Sequence, residues 1–556
     1  MESKTTEKYL GIYVLVTAVV VTLAVIPKGS IDPISLPKLL LLVILGFIAA
    51  GLTITRLSYW MNGSKKQLPL LFVLFVTQLV LVFLLDSRDF ATKFYGIHGR
   101  NTGFVAYLSL SFILFASATS ASMKLIKKYV IVLLSVGAII SIYGIFQFNG
   151  QDFYSYTNIY GSKVFGTFGN PNFQSAFMGI VGTVSVAMVL FSKWNLLAKG
   201  ALLTLTALLT FNIFKSSDQG FLTLSVGIWA SLVSYMIIKR FRLLGTVLIG
   251  FGAIAGTLIF LGIFNKGPLA EVIFKSSLQA RGYYWRAAIN MLIENPLTGV
   301  GFDGFGDQYR RSRSENAALW GAETTADSAH NVLLDIASSG GVFLALFYLG
   351  FMLLALKSIY RVIYIQKNSD PFFISIIGAW FAYQAQSLIS INQLGLGIWG
   401  WSLTGLIIGY GFKIDSSDSN SLKKTSNSKK IQGPLPPLAI VTTFITVIAG
   451  LVITIPPYVA SKNFYDSLVT GDPSKIQNSV YQKPYDRFFY IYVARVMLSN
   501  SYNSEAIKIL SDASVLYPDS TEIWQVWSTI PTASQDQINR AKSELRRLDP
   551  LNPNLK

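Results

Sequence analysis

Apolar runs close to twenty residues long recur along the chain, broken by short polar and basic stretches. A bilayer core is crossed by a helix of about 20 mostly apolar residues, so each run predicts a membrane span. Thirteen spans are predicted, at 10–27, 38–54, 68–85, 103–120, 129–147, 173–192, 196–213, 219–238, 244–264, 329–356, 372–390, 393–412 and 436–456. The first follows Lys4 and Lys8 without a small-residue cleavage site and reads as a retained helix. The pattern therefore predicts an all-α polytopic membrane protein, with residues 1–456 as its transmembrane domain.

Basic residues orient these spans, because Lys and Arg in short loops stay on the cytoplasmic side. With the N-terminus inside, the inner segments hold 21 bases, and the short outer loops hold seven: Lys28, Lys38, Arg88, Lys93, Arg100, Lys163 and Lys215. An odd span count then puts the C-terminus outside. Residues 413–434 are Ser-, Asn- and Lys-rich and read as a cytoplasmic linker near anionic headgroups.

Three outer segments are too long to be plain connectors. Residues 148–172 carry Phe153, Tyr154, Tyr156 and Tyr160. Residues 265–328 carry seven bases and seven acids, the composition of a loop folded over the membrane. Residues 457–556 read as a helical outer domain: Ala506, Ile509, Leu510, Ala513 and Leu516 recur at helical spacing, and a Pro-Asp turn follows. This tail resembles a tetratricopeptide helix pair and is equally readable as a plain helical cap; a repeat would offer a surface to a protein or glycan.

Composition narrows the chemistry. The 556 residues are 52% hydrophobic and 13% charged, with a formal charge of +18. The bases punctuate apolar runs instead of clustering, so a nucleic-acid partner is excluded. There is no Cys, and the two histidines are His98 and His330, which excludes thiolate and histidine-rich metal centres and a cysteine nucleophile.

His330 lies where the large outer loop enters the tenth span, at the water edge of any cavity there, and a near-neutral imidazole suits a general base. Asp327 comes within reach if the helix already extends that far, and would then fix the tautomer. The bland alternative is an interfacial histidine that caps a helix. Arg100, in FYGIHGRNTG, and Arg281 and Arg286, flanking the aromatic run GYYW, lie on the same predicted side. Their planar, permanently charged forks suit a pyrophosphate, whereas Arg310, Arg311 and Arg313 read as residues snorkelling to headgroups. Polar residues at membrane depth add Asn170 and Asn172 in GTFGNPN, an N-cap, then Asp218 in SSDQG, and Asp335 facing the protein interior.

These residues resemble the signatures of one family. His330-Asn331 followed by Gly341 is similar to the histidine motif of the O-antigen ligase and polymerase superfamily, and Arg281 with Trp285 before NPLTGVGFDGF to the segment preceding it. GIHGRNTG, GTFGNPN and SSDQG resemble its upstream signatures, so the likeness covers about residues 95–412. The resemblance implies a GT-C-type glycosyltransferase of the bacterial cytoplasmic membrane that works without metal or nucleotide cofactor. Its donor would be an undecaprenyl-diphosphate-linked glycan, and its acceptor a lipid core, a glycan repeat or a protein. His330 would be the base, and Arg100, Arg281 and Arg286 would hold the diphosphate. Asp327, Asn331, Asn170, Asn172, Asp218 and Trp285 would support them. From a different class, a polysaccharide or lipid transporter fits the span count, but no inverted similarity between halves is visible. A scaffold displaying the tail leaves the histidine and arginines unexplained.

Overall fold

The computed structural model describes residues 4–56, 60–61, 63–152, 160–418 and 435–555, and all regular structure among them is helical. A helix lies on each of the thirteen predicted segments. Eleven are long and apolar enough to cross a membrane by length and composition; Phe104–Ser120 and Pro371–Ser387, at 17 residues each, are shorter. The chain is a multi-pass helical membrane protein.

Helices in lipid gain little from burying apolar side chains against each other, so close approach through small residues sets their packing. The twelfth predicted span, Leu394–Asp418, is the most enclosed, and Gly405 and Gly409 make it so: a Cβ on either would lie 2.1 and 2.0 Å from the Leu114 and Ala118 carbonyl oxygens. The ninth, Arg242–Ile263, is almost wholly exposed at the rim. Contacts sort the connecting segments into two ends. Glu7 pairs with Arg56 and Lys413 at one, while Ser30 meets Ser461 (2.9 Å) and Ser35 bonds the Gly99 carbonyl (2.8 Å) at the other.

Several boundaries differ from the sequence expectation. The tenth span begins at Val332, not 329, because Asn331 caps it. The twelfth runs to Asp418, into the segment read as linker, and 419–434 lie outside the described residues. The thirteenth, Pro437–Thr470, continues for 34 residues through Pro456 and Pro457, so the tail does not start at a helix end at 457. Proline removes one donor and bends a helix without always stopping it.

The large loop is folded. Helix Ser276–Glu294 packs on Phe305–Ser312 around Ala287, Met291, Phe305 and Tyr309. In the tail, Arg487–Ser499 pairs with Asn503–Leu516 and Thr521–Ser528 with Gln535–Leu548, enclosing a separate core that includes Trp524 and Trp527. Arg310 and Arg313 do not snorkel. Each is 2% exposed and bonds Asp549 of the tail, at 3.3 and 2.7 Å, while Arg311 bonds Asp519 at 3.0 Å. Arg487 of the tail pairs with Asp307 of the loop. Lys38 is no loop base either: it is fully buried, its Nζ donating to the Val21, Thr22 and Ala24 carbonyls at the end of the first span.

Candidate active site

A cavity of about 640 Å³ opens at the end of the bundle that carries the folded loop, and Arg100, Asn170, Tyr284, Asp327 and His330 line it. Three glycine-rich segments, distant in sequence, interlock beneath it. The tenth span kinks at Gly341 (φ 78°), where a Cβ would lie 2.4 Å from the Leu297 carbonyl, so NPLTGVG lies directly in the kink. There Val342 N–H donates to Pro296 O (2.8 Å) and Val300 N–H to Ser338 O (2.7 Å). The same segment carries Asp303, whose carboxylate accepts from Ile97 N–H and Thr102 N–H, both at 3.0 Å, and from the Thr102 hydroxyl. Asp303 thereby fixes the turn that presents Arg100.

Arg100 donates to the Asp327 carbonyl and lies 4.0 Å from both Asp303 and Asp335. Asp335, buried as expected, uses one oxygen to accept from Ala329 N–H (2.7 Å). Asn331 accepts from Leu334 N–H (3.1 Å) as N-cap and donates to Leu388 O (3.0 Å). Between these anchors His330 adopts φ 52°, a left-handed conformation rare outside glycine.

The His330 ring lies 5.7 Å from that of Tyr284 and makes no side-chain hydrogen bond among the described residues. Burial first, then the Arg281 and Arg100 cations, push its pKa down to about 4 instead of leaving it near neutral. The imidazole is therefore neutral, with a free lone pair. Asp327 does not fix it: the helix does not reach 327, and no hydrogen bond joins the two side chains.

Of the other expected residues, Arg281 stands one helical turn before Tyr284, and burial lowers its pKa. Arg286 is exposed and outside the cavity, since five residues of helix turn it to another face. Trp285 packs on the loop core with its Nε1 unpartnered. Asn170 caps the sixth span and donates to Tyr160 (3.2 Å); Asn172 accepts from Ser217 (2.6 Å), joining GTFGNPN to SSDQG. Asp218 points outward, 3.7 Å from Lys275. Phe153, Tyr154 and Tyr156 lie outside the described residues.

Two groups in the cavity wall were not anticipated. Asn392, 2% exposed with its Nδ2 unpartnered, comes from the polar break INQLG between the eleventh and twelfth spans, a signal present in the sequence. His98 stacks on Phe488 of the tail (centroids 4.0 Å apart, planes at 4°) and bonds Asp486 (3.2 Å). Burial opposes charge on His98, but Asp486 outweighs it and raises the pKa.

Fold and site together define a multi-pass membrane protein with a chamber lined by the neutral His330 imidazole and the Arg100 guanidinium, with Arg281 outside the lining but close enough to act on His330. Residues 172–349, about a third of the chain, match the family model described as O-antigen ligase, and that part of the chain is similar to this family. The match contains Arg281, His330 and Gly341; Arg100 lies outside it and is tied to it through Asp303. No curated protein matches the chain.

Proposed function

We propose that the protein transfers a glycan from an undecaprenyl-diphosphate donor to an acceptor hydroxyl at the outer face of the bacterial cytoplasmic membrane, with its N-terminus cytoplasmic and its tail outside. The observation that carries this reading is the unbonded His330 ring facing the cavity with Arg100 in the same wall and Arg281 close enough to perturb it. In the transfer, a His330 ring nitrogen takes the acceptor hydroxyl proton. The oxygen forms a bond to the anomeric carbon, and the bond from that carbon to the diphosphate oxygen breaks. The electron pair leaves with the lipid diphosphate, whose charge Arg100 and Arg281 stabilise by directed hydrogen bonds. Asn392 offers one further donor, and the exposed Arg286 has no part in this arrangement. The acceptor can be a lipid core, a glycan repeat or a protein hydroxyl.

Purified protein in nanodiscs, given an undecaprenyl-diphosphate-linked glycan and an envelope acceptor fraction, tests the reading. Donor-dependent transfer with release of undecaprenyl diphosphate is expected. Movement of intact donor across a sealed bilayer without cleavage would identify a transporter instead.

A further inference from the structure

A second cavity, of about 230 Å³, lies between the tail and the bundle and shares the wall formed by Asp32, His98 and Asp327 with the first. Its two sides come from different units: Tyr95 and Asn101 from the bundle, Tyr485, Asp486 and Glu522 from the tail. Most of its charges are already committed. Asp32 accepts from three backbone N–H groups at the start of the second span, Asp486 holds His98, Glu522 pairs with Arg495, and Arg487 with Asp307. Two acceptors remain open. The exposed Asp327 carboxylate makes no hydrogen bond or ion pair among the described residues, and Asn101, only 7% exposed, has its side-chain oxygen unpartnered.

We infer that this cleft binds an uncharged, hydroxyl-rich glycan strand, the acceptor side of the reaction, and leads one hydroxyl past Asp327 into the chamber of His330. The inference rests on the transfer reading above. Unused oxygen acceptors beside the partly exposed Tyr485 ring match sugar hydroxyls and a sugar face. Among the described residues that line the cleft, the cations His98 and Arg487 are both paired, and Lys483 stands over the Tyr485 ring from outside the lining, whereas the neighbouring chamber provides arginine in its wall. A peptide usually docks by adding to a sheet edge or lying in an apolar helix groove, and the cleft provides neither.

The test places the photoreactive residue p-benzoylphenylalanine at Tyr485, and separately at Tyr95, in the full-length protein within cells that retain their own envelope glycans. Irradiation is expected to give a periodate-sensitive glycan adduct at both positions. Asp327→Asn, an isosteric change at an exposed site, should lower the yield by about fivefold, the weight of one hydrogen bond. The same probe at Val515, on the open face of the tail, should give none. A protease-sensitive adduct without glycan, an unchanged yield in Asp327→Asn, or no adduct above the Val515 background overturns the inference. Undecaprenyl diphosphate binding to nanodisc-embedded protein is measured alongside. Glycan adducts without that binding would keep the cleft and remove the donor chamber, and the converse would remove the cleft alone.

Discussion

His330 is held in a left-handed conformation by neighbours on both sides, Ala329 through Asp335 and Asn331 through its own cap. Such backbone costs about 1–3 kcal/mol and persists where the surroundings over-determine it. A base with a pKa near 4 is already deprotonated at physiological pH but weak. A bound diphosphate would cancel the Arg100 and Arg281 fields and raise it toward strength. The expected pH dependence follows: the acid limb of kcat/KM, which reports free enzyme, falls near pH 4, and that of kcat lies higher. Coincident limbs at the ordinary histidine pKa would contradict this. Arg281→Lys should lower transfer about tenfold or more through loss of the planar fork, while Arg286→Lys stays near wild type; equal losses in both would show that Arg286 also reaches the donor. The motif around His330 was legible in the sequence. The roles of Lys38, Arg310 and Arg313 were not, because their partners are backbone carbonyls and a carboxylate 236 residues or more from the arginines.

The spans were legible because length and apolarity are local properties, and every predicted segment meets a helix. Their ends were less so. Nothing local to Pro456-Pro457 says that a helix continues into the tail, and Asn331 acts as a cap only because the chain before it turns away. Interlock of the glycine-rich segments explains why those motifs occur together. At Gly96, φ is 95° and a Cβ would lie 2.3 Å from the Asp303 carboxylate and 2.6 Å from Thr102 N; at Gly99, φ is 79° with open space around it. Gly96→Ala should therefore cost about 3 kcal/mol or more, combining backbone strain with overlap, and Gly99→Ala only about 1–2 kcal/mol. Thermal unfolding of the two detergent-solubilised variants checks the order, and equal losses would mean that the Arg100 turn is not packed as described.

At the scale of the molecule, the tail is bolted to the rim of the site by the buried Arg310–Asp549–Arg313 group, by Arg487–Asp307 and by His98–Asp486. Asp549→Ala leaves the buried Arg313 without a carboxylate and Arg310 with Glu323 alone, a loss of about 3–5 kcal/mol. Limited proteolysis should then release the tail while the bundle stays intact, and an unchanged cleavage rate would deny it that role. The His98 latch has a definite pH sign. Its pKa is raised above 6.5 in the folded protein, so its contribution is complete below 6.5 and disappears as pH rises through the raised value. Tail release in a His98→Ala variant should accordingly lose the pH dependence that wild type shows as pH rises above 6.5. Tail and bundle could be recognised separately in the sequence. Their docking depends on surface pairs with no periodic signature, so nothing in the sequence points to the contacts of His98 with Asp486 and Phe488.

Glycan transfer by His330→Ala, with donor engagement followed in the same sample, tests the assignment of His330 as the base. Nanodisc-embedded wild-type and variant proteins receive undecaprenyl-diphosphate-linked glycan and acceptor, and product formation is read beside undecaprenyl diphosphate binding. Loss of a positioned base predicts a rate lower by about 10² to 10⁴ with binding within twofold of wild type, because the arginines that hold the diphosphate are untouched. Transfer at most of the wild-type rate, with binding intact, would contradict the assignment of His330 as the base.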